Sequence, residues 1–213
     1  MLSIDSLWFA NLNSPSSDER FVDAIVREFV LKPWPGTPDP HILDHGGTTA
    51  FRSRATRGPA NRIDRLPEAT VFRSVNPNTR VNPDYHDIKD VPSDFNAHLI
   101  MVFGTIEYYR TEAALTELLT QLFGLLRPCG VLLISETDPD RGVGAIPLVG
   151  GFARGFDNLL TEVKWRQGAV TRMLETIGYT GIVPKPELIP NIWWNPVWVL
   201  AAHRPPNGTA NRR

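Results

Sequence analysis

Asp44, Gly46, Gly47 and Thr49 fall in one short segment, Ile42-Leu43-Asp44-His45-Gly46-Gly47-Thr48-Thr49-Ala50. An apolar run that ends in an aspartate and then a glycine pair reads as a strand that turns tightly. Glycines there let a ligand come up against bare backbone. Ser74 and Asn76 end a second β-branched run, Thr70-Val71-Phe72-Arg73-Ser74-Val75, and offer a neutral hydroxyl and an amide. Asp87 lies in the polar stretch Tyr85-His86-Asp87-Ile88-Lys89-Asp90. Glu107 and Tyr108 follow the apolar run 98–103, and a carboxylate or a phenol so placed can contact a substrate or take a proton from it. The five histidines are scattered and Cys129 has no second cysteine, so no metal constellation is expected. The chain carries neither a Gly-x-Ser-x-Gly elbow nor a Walker phosphate loop.

The elements that must position these residues follow from apolar spacing. Phe21, Val22, Ile25, Val26, Phe29 and Val30 predict a helix over 17–31, opened by Ser16 and Glu19 as a capping box. Strands are expected at 41–44, 70–75 and 98–103, with room for one short strand near 85–88. Leu115, Leu118, Leu119, Leu122, Phe123 and Leu126 recur at helical spacing, so a helix is expected over 111–126 with Thr111 as its N-cap. A Pro-x-Gly turn at 128–130 should separate it from a buried strand over 130–135. Residues 137–157 are glycine-rich and read as a flexible lid. A helix over about 158–177, in one or two pieces, should stop at Gly178, and strands near 181–183 and 197–202 should close the sheet. βα units followed by a final strand pair predict an α/β fold, an open, doubly wound, mostly parallel sheet with a C-terminal antiparallel hairpin.

Composition bounds the rest. The chain has 213 residues, 42% hydrophobic and 21% charged, enough for one domain with a full core. The expected organisation is an N-terminal helical segment at 1–39, an α/β domain at 40–204 and a disordered tail at 205–213. A net charge of −1 favours neither nucleic acid nor an anionic membrane as partner. No apolar run approaches the roughly 18 residues that span a bilayer, and no signal-peptide pattern opens the chain. The lone Cys129 fits a reducing cytoplasm.

The segment Leu122-Phe-Gly-Leu-Leu-Arg-Pro-Cys-Gly-Val-Leu-Leu-Ile-Ser-Glu136 closely resembles the "L-(K/R)-P-G-G-x-L-hydrophobic" stretch of the Rossmann-like S-adenosylmethionine (SAM) methyltransferases. The resemblance extends over about 40–204. Residues 42–51 resemble that family's "L-D-x-G-x-G-x-G", with Thr48 and Ala50 where two glycines would stand. By the resemblance, Asp44, Gly46, Gly47 and Thr49 would hold the methionine end of SAM. The family's second strand usually ends in an acidic residue that clamps the ribose hydroxyls. Ser74 occupies that slot here, with Asn76 as partial compensation, and the helix after it is shortened. Asp87 matches the acidic residue that contacts adenine, and His98 stands near the acidic position that usually opens the fourth strand. Glu107 and Tyr108 match the loop that meets the acceptor.

The resemblance implies a SAM-dependent methyltransferase acting on a small-molecule acceptor, either alone or as a homo- or heterodimer. The departures leave a second implication open: a methyltransferase-like protein that no longer transfers methyl groups and works as another enzyme, such as a cyclase, or as a partner subunit. Arg52, Arg54, Arg57, Arg62 and Arg65 could meet an anion or form a solvated face. Trp193 and Trp194 could wall an apolar acceptor or pack the closing hairpin.

Overall fold

The computed structural model describes residues 25, 28–29, 32–34, 39–46, 70–77, 83–139, 163, 165–185 and 197–206. Six strands form one sheet: β1 (His41–His45), β2 (Val71–Val75), β3 (Ala97–Phe103), β4 (Leu126–Thr137), β5 (Thr180–Pro184) and β6 (Val197–His203). Their order is β2-β1-β3-β4-β6-β5. The β1–β2, β1–β3 and β3–β4 pairs are parallel, and β6 runs antiparallel to both β4 and β5. The expected α/β class, mostly parallel sheet and antiparallel closing hairpin are all present.

Strand alternation sends the apolar residues to two cores. Leu43, Ile100, Val102, Leu132, Ile134, Leu200 and Ala202 face the larger one. Their neighbours Ile42, Leu99, Met101, Val131, Leu133, Val199 and Ala201 face the other. A strand covered on both faces reads as a continuous apolar run, which is why β3 and β4 do. Helices α1 (Glu112–Leu125) and α2 (Gln167–Ile177) cover the first face. Ile25 and Phe29, from the N-terminal region where a helix was expected, are buried in the second. No helix among the described residues is long and apolar enough to cross a membrane.

α1 forms where its leucines predict it. Leu115, Leu118, Leu119, Leu122 and Leu125 are buried, and the Thr111 hydroxyl accepts from the Ala114 N–H at 3.2 Å as the N-cap. α2 ends at Gly178 as expected: this residue is left-handed (φ 110), and its N–H reaches the carbonyls of Leu174 and Glu175.

Three expectations are made precise. Of the helix expected over about 158–177 in one or two pieces, the described piece begins at Gln167, and Arg166 before it is extended; residues 158–162 and 164 lie outside the described residues. Val163 N–H donates to Glu107 O, and the Trp165 indole N–H donates to Ile106 O and Tyr109 O, which holds this part of the chain against the loop after β3. Second, the Pro-x-Gly turn does not precede the strand; it lies inside β4. Ala97 pairs with Leu126 and Leu99 with Val131, so residues 127–130 bulge out of register. Cys129 has φ +64, and a Cβ on Gly130 would meet backbone oxygens of Ala97 and Arg127 at 2.8 Å. Third, the strand expected near 85–88 reduces to one parallel bridge, Val75 to Tyr85, followed by a 3-10 turn, Ile88–Asp90. Pairing does not continue into 86–88, where the Asp87 side chain accepts from the Lys89 N–H and opens that turn.

The N-terminal segment up to residue 24, residues 47–69, the lid residues 140–157, Trp193, Trp194 and the tail from 207 lie outside the described residues.

Candidate functional site

β1 is where the winding of the sheet reverses: β2 follows it on one side and β3 on the other. In open α/β sheets the crevice beyond the carboxyl ends of the strands at that point takes ligands. The register brings the candidate residues to it. Asp44 lies beside Ser74 on one side and Met101 on the other, and His45 lies between Val75 and Val102.

Asp44 is only 6% exposed. No hydrogen bond to its carboxylate is formed among the described residues, and burial alone raises its pKa from 3.8 to about 7. Gly46 leaves the strand with φ +79, and its N–H donates to Val75 O at 2.7 Å. Glycine is required at 46 for two reasons. L side chains rarely adopt that φ, and a Cβ would stand 1.7 Å from Thr105 Cγ2. The space beside Gly46 is therefore filled by Thr105, whose hydroxyl donates to His45 O at 3.2 Å and so ties the turns after β1 and β3 together. Gly47 and Thr49 lie outside the described residues.

Both residues expected near a ribose are engaged inside the protein. Ser74 Oγ donates to Asp84 Oδ2 at 3.0 Å, and Asn76 Nδ2 donates to Gly46 O at 3.1 Å. Asp87 is exposed and its carboxylate accepts from Lys89 N–H at 3.0 Å, capping the 3-10 turn. Its charge nevertheless acts on His45 and Tyr109. Glu107 is buried within the 3-10 turn Ile106–Tyr108 that follows β3. Tyr108 points outward, 58% exposed at the rim.

Sequence reasoning passed over two residues that share this crevice. His45 is 3% exposed, and burial lowers its pKa to about 4, so the ring is neutral at physiological pH. Its Nε2 faces the Tyr109 hydroxyl at 3.4 Å, and its Nδ1 is buried with no hydrogen-bond partner among the described residues. Burial, and secondarily Asp87, raises the Tyr109 pKa. His45 occupies the variable position of the glycine motif, so its type carried no signal. Tyr109 differs from Tyr108 only by one step round a turn.

The fold recurs in methyltransferases. No protein-family model matches the sequence, and no curated protein is significantly similar to it. Among solved structures the chain is similar to a SAM-dependent methyltransferase from Archaeoglobus fulgidus, with TM-score 0.60 and 13% identity, over 93% of this chain and 97% of that one. It is also similar to phosphoethanolamine N-methyltransferase 2 of Haemonchus contortus in complex with phosphomonomethylethanolamine and S-adenosylhomocysteine, at TM-score 0.64 and 13% identity. That match covers 94% of this chain but 56% of the worm enzyme. A third likeness, TM-score 0.57 at 12% identity, is to magnesium protoporphyrin IX methyltransferase from Synechocystis with bound SAM, over 87% of this chain and 79% of that one. At these identities the shared property is the Rossmann-like methyltransferase fold.

Proposed function

We propose that this chain binds SAM at the crevice beside β1 and transfers its methyl group to a small-molecule acceptor. The observation that carries the reading is Asp44: a carboxylate buried at the switch point of a methyltransferase fold, with its charge uncompensated among the described residues. A cationic ligand is what such a group lacks, and the ammonium and sulfonium of SAM supply positive charge there.

In this reading Asp44, Gly46, Gly47 and Thr49 hold the methionine end, with the N–H groups of the glycine turn lying against it. Ser74 and Asn76 shape the ribose side, and Asp87 serves the adenine amino group. The methyl group on a sulfonium is already activated, so the protein's work is to align an acceptor and exclude water. Exposed Tyr108 at the rim and buried Glu107 behind it are the groups proposed to meet that acceptor, Glu107 as the proton acceptor. The small acceptors named for the worm and Synechocystis neighbours support a small-molecule substrate. The setting proposed is the cytoplasm, where Cys129, exposed on β4, stays reduced.

A second reading, a methyltransferase-like protein without methyl transfer, draws on Ser74 and Asn76, both held in internal hydrogen bonds. Thermal shift with SAM and with S-adenosylhomocysteine separates the two. A ligand at 100 times its dissociation constant stabilises the native state by about 2.7 kcal/mol. Absence of a shift with either compound at millimolar concentration would end the first reading. If a shift is seen, Asp44→Ala should abolish it.

A further inference from the structure

We infer that a second ligand site lies at the opposite end of the sheet, where His98 and Arg127 turn N–H donors toward one point that a small oxyanion, a carboxylate or a phosphate, would occupy. It is separate from the crevice and does not depend on what the crevice binds. His41 opens β1 and His98 is the second residue of β3, whereas Asp44 and His45 stand at the carboxyl end of β1. Each nitrogen of the His98 ring faces an N–H group. The His41 backbone N–H donates to Nδ1 at 3.1 Å, and Nη1 of the Arg127 guanidinium lies against Nε2. A backbone N–H can only donate, and so can a guanidinium.

The His98 ring is buried, and burial first, then the charge of Arg127, lowers its pKa to about 4, so it is neutral at physiological pH. A neutral imidazole carries one proton and one lone pair in its plane, so it accepts from only one of the two donors. The backbone donor is held by the β1–β3 pairing, in which Ile42 lies beside Leu99, while the arginine is a long side chain that can turn. Nδ1 therefore keeps the lone pair and Nε2 carries the proton, which leaves donor facing donor at Nε2. No acceptor among the described residues resolves this. His41 spends its ring Nδ1–H on Phe95 O at 2.6 Å. Asp39 is exposed and its charge acts on His98, yet it forms no salt bridge with Arg127 among the described residues. Arg127 leaves the sheet in the bulge at 127–130, half-buried, and the Trp34 ring stands edge-on to His98 with centroids 5.0 Å apart. A negatively charged oxygen between Nε2 and the guanidinium accepts from both, and a second oxygen of the same anion matches the guanidinium fork. His98 and Arg127 are then the contacts, and His41, whose backbone sets the ring's tautomer, is a positioning residue.

The test uses the full chain. Long-range nitrogen–proton NMR should find the His98 ring protonated on Nε2. A ring protonated on Nδ1 would overturn the inference, because Nε2 would then hold a lone pair for Arg127. Calorimetry with sodium phosphate and sodium acetate, each against sodium chloride at equal ionic strength, reads the ligand. At least one oxyanion should bind saturably where chloride does not, and the tighter of the two tells phosphate from carboxylate. Arg127→Gln, a change at a half-buried side chain, should weaken that binding by at least about tenfold. Asp39→Asn should tighten it, since a neighbouring negative charge that repels the anion is gone. His98→Asp places an acceptor-only group before both the His41 N–H and Arg127, so it should abolish oxyanion binding and raise the melting temperature. If neither oxyanion binds the wild-type protein, or if Arg127→Gln binds as well as wild type, the site is refuted, whatever S-adenosylhomocysteine does at the crevice.

Discussion

Asp44 should make the folded protein lose stability as the pH rises. In the unfolded chain its carboxyl ionises near 3.8; in the folded chain burial holds the pKa at about 7. Below pH 3.8 both states keep the proton and the group adds no pH-dependent difference. Between 3.8 and 7 the unfolded chain gives its proton up while the folded chain retains it, so unfolding gains. Above 7 both states are ionised and the whole difference has been lost from stability. A gap of about three pK units, at about 1.4 kcal/mol each, comes to about 4 kcal/mol. Asp44→Asn preserves the shape and removes the ionisation. Urea unfolding of both proteins from pH 4.5 to 8.5 should show the variant gaining on the wild type by most of that amount, chiefly between pH 4.5 and 7. The titration of neighbouring His45 is common to both proteins and drops out of the comparison. A stability difference that stays flat across this range would refute the claim that Asp44 is buried without compensation. With saturating S-adenosylhomocysteine the same group should release a proton near pH 6.5, because the ligand's ammonium lowers its pKa; calorimetry in buffers of different ionisation heat reads that proton directly.

His45 carries the opposite sign: its folded pKa is lowered from 6.5 to about 4, so stability is complete above pH 6.5 and falls as pH drops through 4, by about 3 kcal/mol in all. His45→Gln should flatten the acid limb of the stability curve, measured by urea unfolding at pH 4 and 7. Gly46→Ala should lower stability by at least about 2 kcal/mol, since the new Cβ meets both a left-handed φ of +79 and the Thr105 side chain. Adding Thr105→Ser should recover only part of that loss in a thermal melt, because the φ penalty remains. Trp165→Phe should cost about 1–3 kcal/mol by leaving the Ile106 and Tyr109 carbonyls without their indole donor, and amide exchange should quicken at residues 106–109.

What could be read from the residues divides along a physical line. α1 was legible because its signal is local: five leucines at helical spacing behind a threonine cap decide the matter within fourteen residues. β3 and β4 were legible because a strand covered on both faces must be apolar throughout. The same apolar signal misplaced the Pro-x-Gly turn, since a turn of that sequence also fits a bulge when the flanking backbone stays paired with β3. The start of α2 was not legible, because the segment before it is held by Trp165 and Val163 reaching more than fifty residues back to the loop after β3. At the site, Asp44 and Gly46 stood out by type and spacing. Tyr109, which meets His45, could not be told from its exposed neighbour Tyr108, because one step round a 3-10 turn decides which ring points inward.

The two functional readings can be weighed by what the crevice costs when nothing is bound. A turn that had kept its geometry but lost its ligand would be free to shed polar groups that burial penalises. Around β1 the reverse holds. Asp44 carries an ionisation penalty of about 4 kcal/mol at neutral pH, and His45 keeps a ring nitrogen buried with no partner among the described residues. An apolar residue at either position would relieve these terms, for both neighbour an apolar core that could accept one. The internal hydrogen bonds of Ser74 and Asn76 do not offset them; they tie the end of β2 to the Asp84 side chain and to the Gly46 carbonyl. Uncompensated charge at the switch point is a cost of the kind that ligand sites store and that a bare scaffold has no use for. That asymmetry favours a cationic nucleoside ligand over an empty turn. It would lose its force if Asp44→Leu proved no more stable than wild type at pH 8.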